Sequence, residues 1–316
     1  MSILFTDFFA KINQIAPLEA KFTEVLDSIA LKPKLLYFYG KMPENVSKSV
    51  AIVGSRHNTR YGEEIAYKLA YDLAKNGIII ISGLAYGIDS IAHRAALDAG
   101  GLTVAVLGTP IDQIYPKNHQ SLATDIIKAG GAIISEYAPR TKEYEDSPLA
   151  VDETRKNNRR YLNYKSTFLH RNRLISGLSD AIIVVEAAAH SGTLNTAAHG
   201  LNQGKDVYAV PGNITNVYSE GCNNLIKQGA IPCTSSEDIL RQLLPEKYLK
   251  AKKRRSLDGD TEEETIILRA ISDGLRSGEE IMRKGHLSIS LFNETITLLE
   301  IKGLVRSLGA NNWSLA

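Results

Sequence analysis

Short runs of β-branched and aliphatic residues recur along the chain at 49–54, 78–82, 102–107, 132–136, 181–186 and 206–210, each bounded by glycine or polar residues. Runs of this length and composition predict buried strands. Between them, apolar positions repeat at helical spacing over 63–76, 90–99 and 193–203, and Gly77, Gly100 and Gly204 stand where helix C-terminal glycines belong. Alternating strands and helices predict an α/β domain, a doubly wound parallel sheet with helices on both faces, over 49–244. The first 48 residues, broken by Pro33 and Pro43, read as a short N-terminal helical segment. Residues 139–165 interrupt the rhythm with a polar stretch holding Pro139, Pro148, Arg155, Lys156, Arg159 and Arg160, and a loop that long inside a compact domain is usually functional or disordered.

The pattern changes after residue 244. Residues 245–261 form a basic linker, with Lys252-Lys253-Arg254-Arg255 as a solvated hinge or a phosphate contact. In 262–316, helix patterns at 264–272, 277–282 (Ser277 as N-cap) and 290–302 precede two short apolar runs that bracket Gly309-Ala310-Asn311-Asn312, a hairpin turn signal. Three helices and a hairpin make a winged-helix pattern. Its third helix carries Glu294, Glu300 and a single Lys302, too acidic to meet phosphates in a groove, so the domain reads as a protein-contact module.

Three strand ends carry glycine and small hydroxyl residues: Gly54-Ser55-Arg56, Ser82-Gly83 and, between a strand and a helix, Ser191-Gly192-Thr193. Such loops leave backbone N–H groups free and suit phosphate, and ligands of open parallel sheets bind outside the carboxyl ends of the strands. Just upstream of the third loop lie Lys165, Phe168, Arg171 and Arg173, cations with one aromatic, which suit a single nucleic-acid strand. Phe168 reads either as a stacking ring or as a core residue. Arg171 and Arg173, two apart near a helix start, do not share a face; one can bind phosphate while the other pairs internally, for example with Glu186.

Composition narrows the classes. Hydrophobic residues make up 44% and charged residues 23%, an ordinary globular balance, and a net charge of +2 confines any nucleic-acid binding to local patches. Cys222 and Cys233 fit no zinc or disulfide spacing, so neither metal nor cofactor is expected, and a reducing cytoplasm is the expected location. The opening MSILFTDFFAKI has no basic leader and reads as an amphipathic helix, and no apolar run approaches a membrane span. Asp89 and His93, four apart, read as an intrahelical hydrogen bond. Glu186 stands at a strand end without a partnered base, so catalysis is not supported.

Taken in order, Val53-Gly54-Ser55-Arg56 with Tyr61-Gly62, Ser82-Gly83-Leu84-Ala85-Tyr86-Gly87-Ile88-Asp89, Ile114-Tyr115-Pro116, Ser135-Glu136-Tyr137, Phe168 with Arg171-Asn172-Arg173, Ser191-Gly192-Thr193-Leu194-Asn195-Thr196 and Val210-Pro211-Gly212 resemble the DprA/Smf family of bacterial DNA-processing proteins of natural transformation, over about 49–240. The resemblance implies a Rossmann-like domain that binds single-stranded DNA, forms homodimers and helps load RecA, with a C-terminal winged helix. It implies strand contacts at Arg56, Lys165, Phe168, Arg171 and Arg173. The chain departs from that pattern in its short lead-in and its long 139–165 stretch. Competing readings are a phosphoribohydrolase of the lysine-decarboxylase-like fold, whose loop glutamate has no counterpart in His190-Ser191-Gly192-Thr193-Leu194-Asn195, and a sensor of a nucleotide ligand.

Overall fold

The computed structural model describes residues 11–44, 48–140, 164–245 and 258–315. The chain falls into two compact units, Met1–Ile239 and Leu240–Ala316. In chain order the first contains β1 (Asn13–Ile15), β2 (Leu36–Gly40), β3 (Ser49–Val53), α1 (Arg60–Lys75), β4 (Ile79–Ser82), α2 (Ile88–Asp98), β5 (Thr103–Leu107), α3 (Gln120–Lys128) and β6 (Ala132–Ser135). It continues with α4 (Tyr164–Gly177), β7 (Ala181–Val184), α5 (Thr193–Asn202), β8 (Asp206–Ala209), α6 (Glu220–Lys227) and β9 (Ile231–Pro232), and α7 (Ser236–Leu243) follows.

These strands form one mixed sheet in the order β1-β2-β6-β5-β4-β3-β7-β8-β9. From β6 to β9 every pairing is parallel, and β2 and β1 add antiparallel at one edge. The parallel strands from β3 to β8 are buried on both faces, and their side chains alternate between two cores. Val104 and Val106 pack with Leu174, Ile175, Ala197 and Leu225 from α4, α5 and α6. Ala105 and Leu107 pack with Leu122, Ala123 and Ile126 from α3. Burial on both faces is why these strands are continuous apolar runs rather than alternating ones. Gly77, Gly100 and Gly204 take positive φ after α1, α2 and α5 and let the chain turn back into the sheet.

The lead-in differs from the helical segment that its prolines suggested. Residues 17–19 and 24–28 are single 3₁₀ turns, and Leu36–Gly40 is a strand that pairs Tyr37 with Ser135 and Tyr39 with Ile133. Leu-Tyr-Phe-Tyr is strand composition, and Tyr37 and Tyr39 both bury against the α3 face. The expected amphipathic start falls largely on residues 1–10, the long polar stretch on 141–163 and the basic linker on 246–257, all outside the described residues.

The second unit folds around its own core of Ile267, Leu268, Ile271, Ile281, Phe292, Ile296, Leu299 and Val305. It contains α8 (Glu262–Ser272), α9 (Gly278–Gly285), α10 (Ile289–Ile301) and the hairpin β10 (Val305–Gly309)–β11 (Asn312–Leu315). Ala310 and Asn311 have φ of 49° and 56°, the paired positive values of a type I′ turn. Ser277 holds the N-cap position of α9 without a side-chain cap, and the Gly278 N–H donates instead to the Asn311 carbonyl at 2.8 Å. Three helices and a hairpin make this unit a winged helix.

Candidate nucleic-acid interface

Chain order and spatial order part company beside β3. From β3 the chain runs outward through β4, β5 and β6, then crosses back so that β7 lies against the other side of β3. The loops after β3 and β7 therefore diverge and leave a crevice at their carboxyl ends. A cleft of about 920 Å³ opens there, lined by Gly54, Ser55 and Arg56, by Ser191, Gly192 and Thr193, and by Phe168 and Arg171 from α4.

At its mouth Arg56 is exposed, with its guanidinium carbon 5.4 Å from the centre of the half-buried Phe168 ring. The Tyr115 ring lies 5.5 Å from Phe168 with its plane tilted 30°. A cation over a ring face is attractive, and it keeps both groups at the surface of the cleft. Lys165 lies in the first turn of α4, and its side chain is outside the described residues.

Arg171 and Arg173 are placed differently from the strand contacts that their basic spacing suggested. Both sit in the body of α4 and are 5% and 3% exposed. Arg171 Nη1 donates to the Gly83 carbonyl at 2.9 Å and to the Val106 carbonyl, so it ties the ends of β4 and β5 together under the cleft. Burial lowers its pKa to about 10, against the pull of Asp89. Arg173 does not pair with Glu186. Its Nη2 meets Glu136 at 2.6 Å and its Nε donates to the Leu31 carbonyl at 2.7 Å, which pins the lead-in against β6. The two arginines do point to different partners, but both partners are internal.

The glycine loops share the same economy. Ser82 is buried and donates to the Ile52 carbonyl at 2.7 Å. The Gly83 and Ala85 N–H groups donate to Asp89 Oδ2 at 3.1 and 3.4 Å, so the anion site that this loop offers is already filled by the chain's own carboxylate. A Cβ at Gly83 would stand 2.6 Å from the Arg171 guanidinium, and one at Gly54 would stand 2.5 Å from Ile88. These glycines therefore make room for side chains, not phosphate. Ser55 Oγ accepts from the His57 N–H at 3.1 Å. Ser191-Gly192-Thr193 borders the cleft at the start of α5, opposite Gly54-Ser55-Arg56, and the Thr193 hydroxyl donates to the Gly54 carbonyl at 2.9 Å and fastens the two cleft walls together.

The carboxylates are equally occupied. Glu186 is 1% exposed and accepts from the Thr59 N–H at 2.9 Å and the Thr59 hydroxyl at 2.5 Å, at the N-terminus of α1. Asp89 and His93 are not bonded to each other as their spacing implied: Asp89 faces the β4 loop, and His93 Nδ1 meets Thr103 Oγ1 at 2.7 Å. Burial raises the Asp89 pKa, with Arg171 opposing. Among the described residues no group of three or more His, Cys, Asp or Glu is placed to hold a metal, and no helix is long and apolar enough to cross a membrane.

Two residues that sequence reasoning left without a role belong to the site. Tyr86 and Tyr115 join Arg56 and Phe168 around a second, smaller hollow beside the cleft. Their signal was present as single aromatics in the loops after β4 and β5, but without an adjacent cation in sequence it carried no chemistry.

Comparison with known proteins identifies the family. The family model described as DNA recombination-mediator protein A matches residues 13–150 and 153–244, and the DprA winged helix domain matches 251–311. Protein Smf of Escherichia coli (strain K12) is 43% identical over 211 residues, covering 67% of this chain and 51% of that protein. The chain thus spans about half the length of that relative. DNA processing protein DprA of Streptococcus pneumoniae is 37% identical over 234 residues, 74% of this chain and 75% of that protein. Its X-ray structure superposes with a TM-score of 0.59 at 35% identity, covering 74% of this chain and 75% of that one. A Helicobacter pylori DNA processing protein A, whose structure concerns its single-stranded DNA binding mode, gives 0.60 at 28% identity, covering 75% of this chain and 97% of that one. Arg56 and Phe168 at the switch point, the two-unit architecture and these matches together place the chain in the DNA recombination-mediator protein A (DprA/Smf) family.

Proposed function

We propose that the chain binds single-stranded DNA across the cleft between β3 and β7 and serves as a recombination mediator during DNA uptake, handing strands to RecA. The observation that carries this reading is the exposed Arg56 guanidinium stacked on Phe168 at the mouth of the cleft. A cation beside an aromatic face suits alternating phosphate and base. The single-stranded DNA binding of the Helicobacter pylori relative supports it. In this proposal Arg56 and Lys165 meet phosphates and Phe168 stacks a base, while Arg171 braces the loops beneath Phe168 and Arg173 fastens α4 to the lead-in. Function is by binding and not catalysis, since Glu186 is engaged as the cap of α1. The protein acts in the cytoplasm as a homodimer. β9 ends the sheet with Ile231 exposed, and an edge strand is a surface on which a second copy can pair.

A nucleotide-ligand site is the second reading, favoured by a cleft volume of about 920 Å³, within the range of small-molecule pockets. Titration of labelled oligo-dT at two salt concentrations separates the readings. Single strands are expected to bind more tightly than duplex, with affinity falling steeply as salt rises. Arg56→Ala is expected to cost about 1–3 kcal/mol of binding and to reduce the salt slope by about one. Equal affinity for blunt duplex and single strand, or full displacement of oligo-dT by a mononucleotide at equal concentration, would sink the first reading.

A further inference from the structure

We infer that Tyr86 and Tyr115 extend the base-stacking surface beyond Phe168, so that the strand path leaves the cleft across the carboxyl ends of β4 and β5. The inference rests on the strand-binding reading and deepens it. Tyr86 is 44% exposed and Tyr115 48%, although both are large aromatics in well-packed loops. With Phe168 and Arg56 they surround one hollow. Among the described residues neither phenol oxygen has a hydrogen-bond partner, so the rings are held by their loops and by ring contacts. Tyr115 packs against Phe168 at 5.5 Å, and Tyr86 stands edge-on to His119 at 5.0 Å, the planes 69° apart.

The loop that presents Tyr86 is unusually constrained. Leu84, two residues earlier, is fully buried at a φ of 58°, a left-handed conformation that costs a branched residue energy and persists only where its surroundings enforce it. Its carbonyl meets His119 Nδ1 at 2.8 Å, and Asp89 holds the amides on either side. Gly87 follows at a φ of 75°, and its lack of a side chain lets it lie against the Ser55–Arg56 backbone. Strain invested in a loop that ends in an exposed ring is a pre-organised presentation of that ring. A base inserted between two rings needs about two stacking steps of 3.4 Å each. The 5.5 Å between Tyr115 and Phe168 does not admit one. Bases therefore stack on the outward surfaces of the file, one nucleotide to a ring, without regard to sequence.

Stacking rings carry no charge, so their contribution separates cleanly from that of Arg56. In the full chain, Tyr86→Leu with Tyr115→Leu is expected to weaken oligo-dT binding at least fivefold with an unchanged salt slope, and Tyr86→Phe with Tyr115→Phe to stay within twofold of the parent. An oligonucleotide with abasic positions at its centre is expected to bind the parent more weakly than oligo-dT, and this penalty is expected to shrink in the double Leu variant, where Phe168 alone is left to stack. If the double Leu variant fails to fold, the single variants Tyr86→Leu and Tyr115→Leu decide, each expected to bind oligo-dT about twofold or more weaker with the parent's salt slope. Parent affinity that ignores abasic positions, or a folded Leu variant that binds oligo-dT as the parent does while Arg56→Ala is weakened, overturns the stacking file and leaves the strand-binding reading standing. No binding of any oligonucleotide at low salt overturns both.

Discussion

His93 shows how far a single residue can depart from what its spacing suggests. Thr103 spends its hydroxyl hydrogen on the Ile80 carbonyl at 2.7 Å, so the imidazole Nδ1 must carry the proton that joins the two side chains. Nε2 is left buried without a partner among the described residues. Burial first, then His119 and Arg171, lowers the His93 pKa from 6.5 to about 3. The unfolded chain takes up a proton near pH 6.5 that the folded chain refuses. The stabilisation is therefore present above pH 6.5 and is lost as the pH falls towards 3. At pH 5 the loss amounts to about 2 kcal/mol, at about 1.36 kcal/mol per pH unit. Urea unfolding of the parent at pH 7 and pH 5 is expected to show that loss in excess of the loss seen for His93→Gln; equal losses would contradict it. In the sequence the Asp89–His93 spacing was legible, but the partners were not, because they come from β4 and β5, strands on either side of α2 in the chain. The same holds for Arg171 and Arg173. Their charge was plain, whereas their burial depended on carbonyls at Gly83, Val106 and Leu31 that no local pattern announces.

At the scale of elements the pattern was easier to read. The strands β3 to β8 fall within two residues of their apolar runs, because a strand buried on both faces needs an unbroken run. β1 and β2 were missed because β2 pairs antiparallel at the sheet edge, outside the strand–helix alternation that identified the others. α1 begins at Arg60, three residues earlier than its apolar repeat, because Thr59 caps it and Glu186 secures Thr59. That carboxylate joins the end of β7 to the start of α1 across the whole cleft wall. Glu186→Ala removes two hydrogen bonds to a charged group and leaves the Thr59 N–H unpaired in a half-buried site, a cost of about 2–4 kcal/mol. Glu186→Gln, which keeps acceptor capacity, is expected to cost about half as much. Chemical denaturation of the two variants checks the order, and a neutral Glu186→Ala would contradict the capping role.

Across the whole molecule, charge is divided unevenly. Residues 258–315 of the winged helix hold ten Asp and Glu against six Lys and Arg, a net −4 in a chain whose total is +2. On α10, Leu291, Leu298 and Ile301 are 38%, 45% and 78% exposed, with Glu294 and Glu300 exposed on the same helix. Lys302 is paired with Asp260 at 2.7 Å and Glu264 at 2.6 Å. An acidic, apolar helix surface repels phosphates, so removal of the domain after Leu257, with the basic linker kept, is expected to leave oligo-dT affinity within a few-fold. A hundredfold loss with the remaining unit still folded would overturn that expectation. The crossover between β6 and β7 has a different consequence, one of timing. Arg56 is made 112 residues before Phe168, and the wall that joins them closes only when β7 pairs with β3. At synthesis rates of about 5–20 residues per second, the ribosome spends roughly 6–22 s between those two residues. A half-made chain thus carries the arginine without its ring, and on the proposed strand-binding reading it is expected to hold oligo-dT more weakly than the finished protein does.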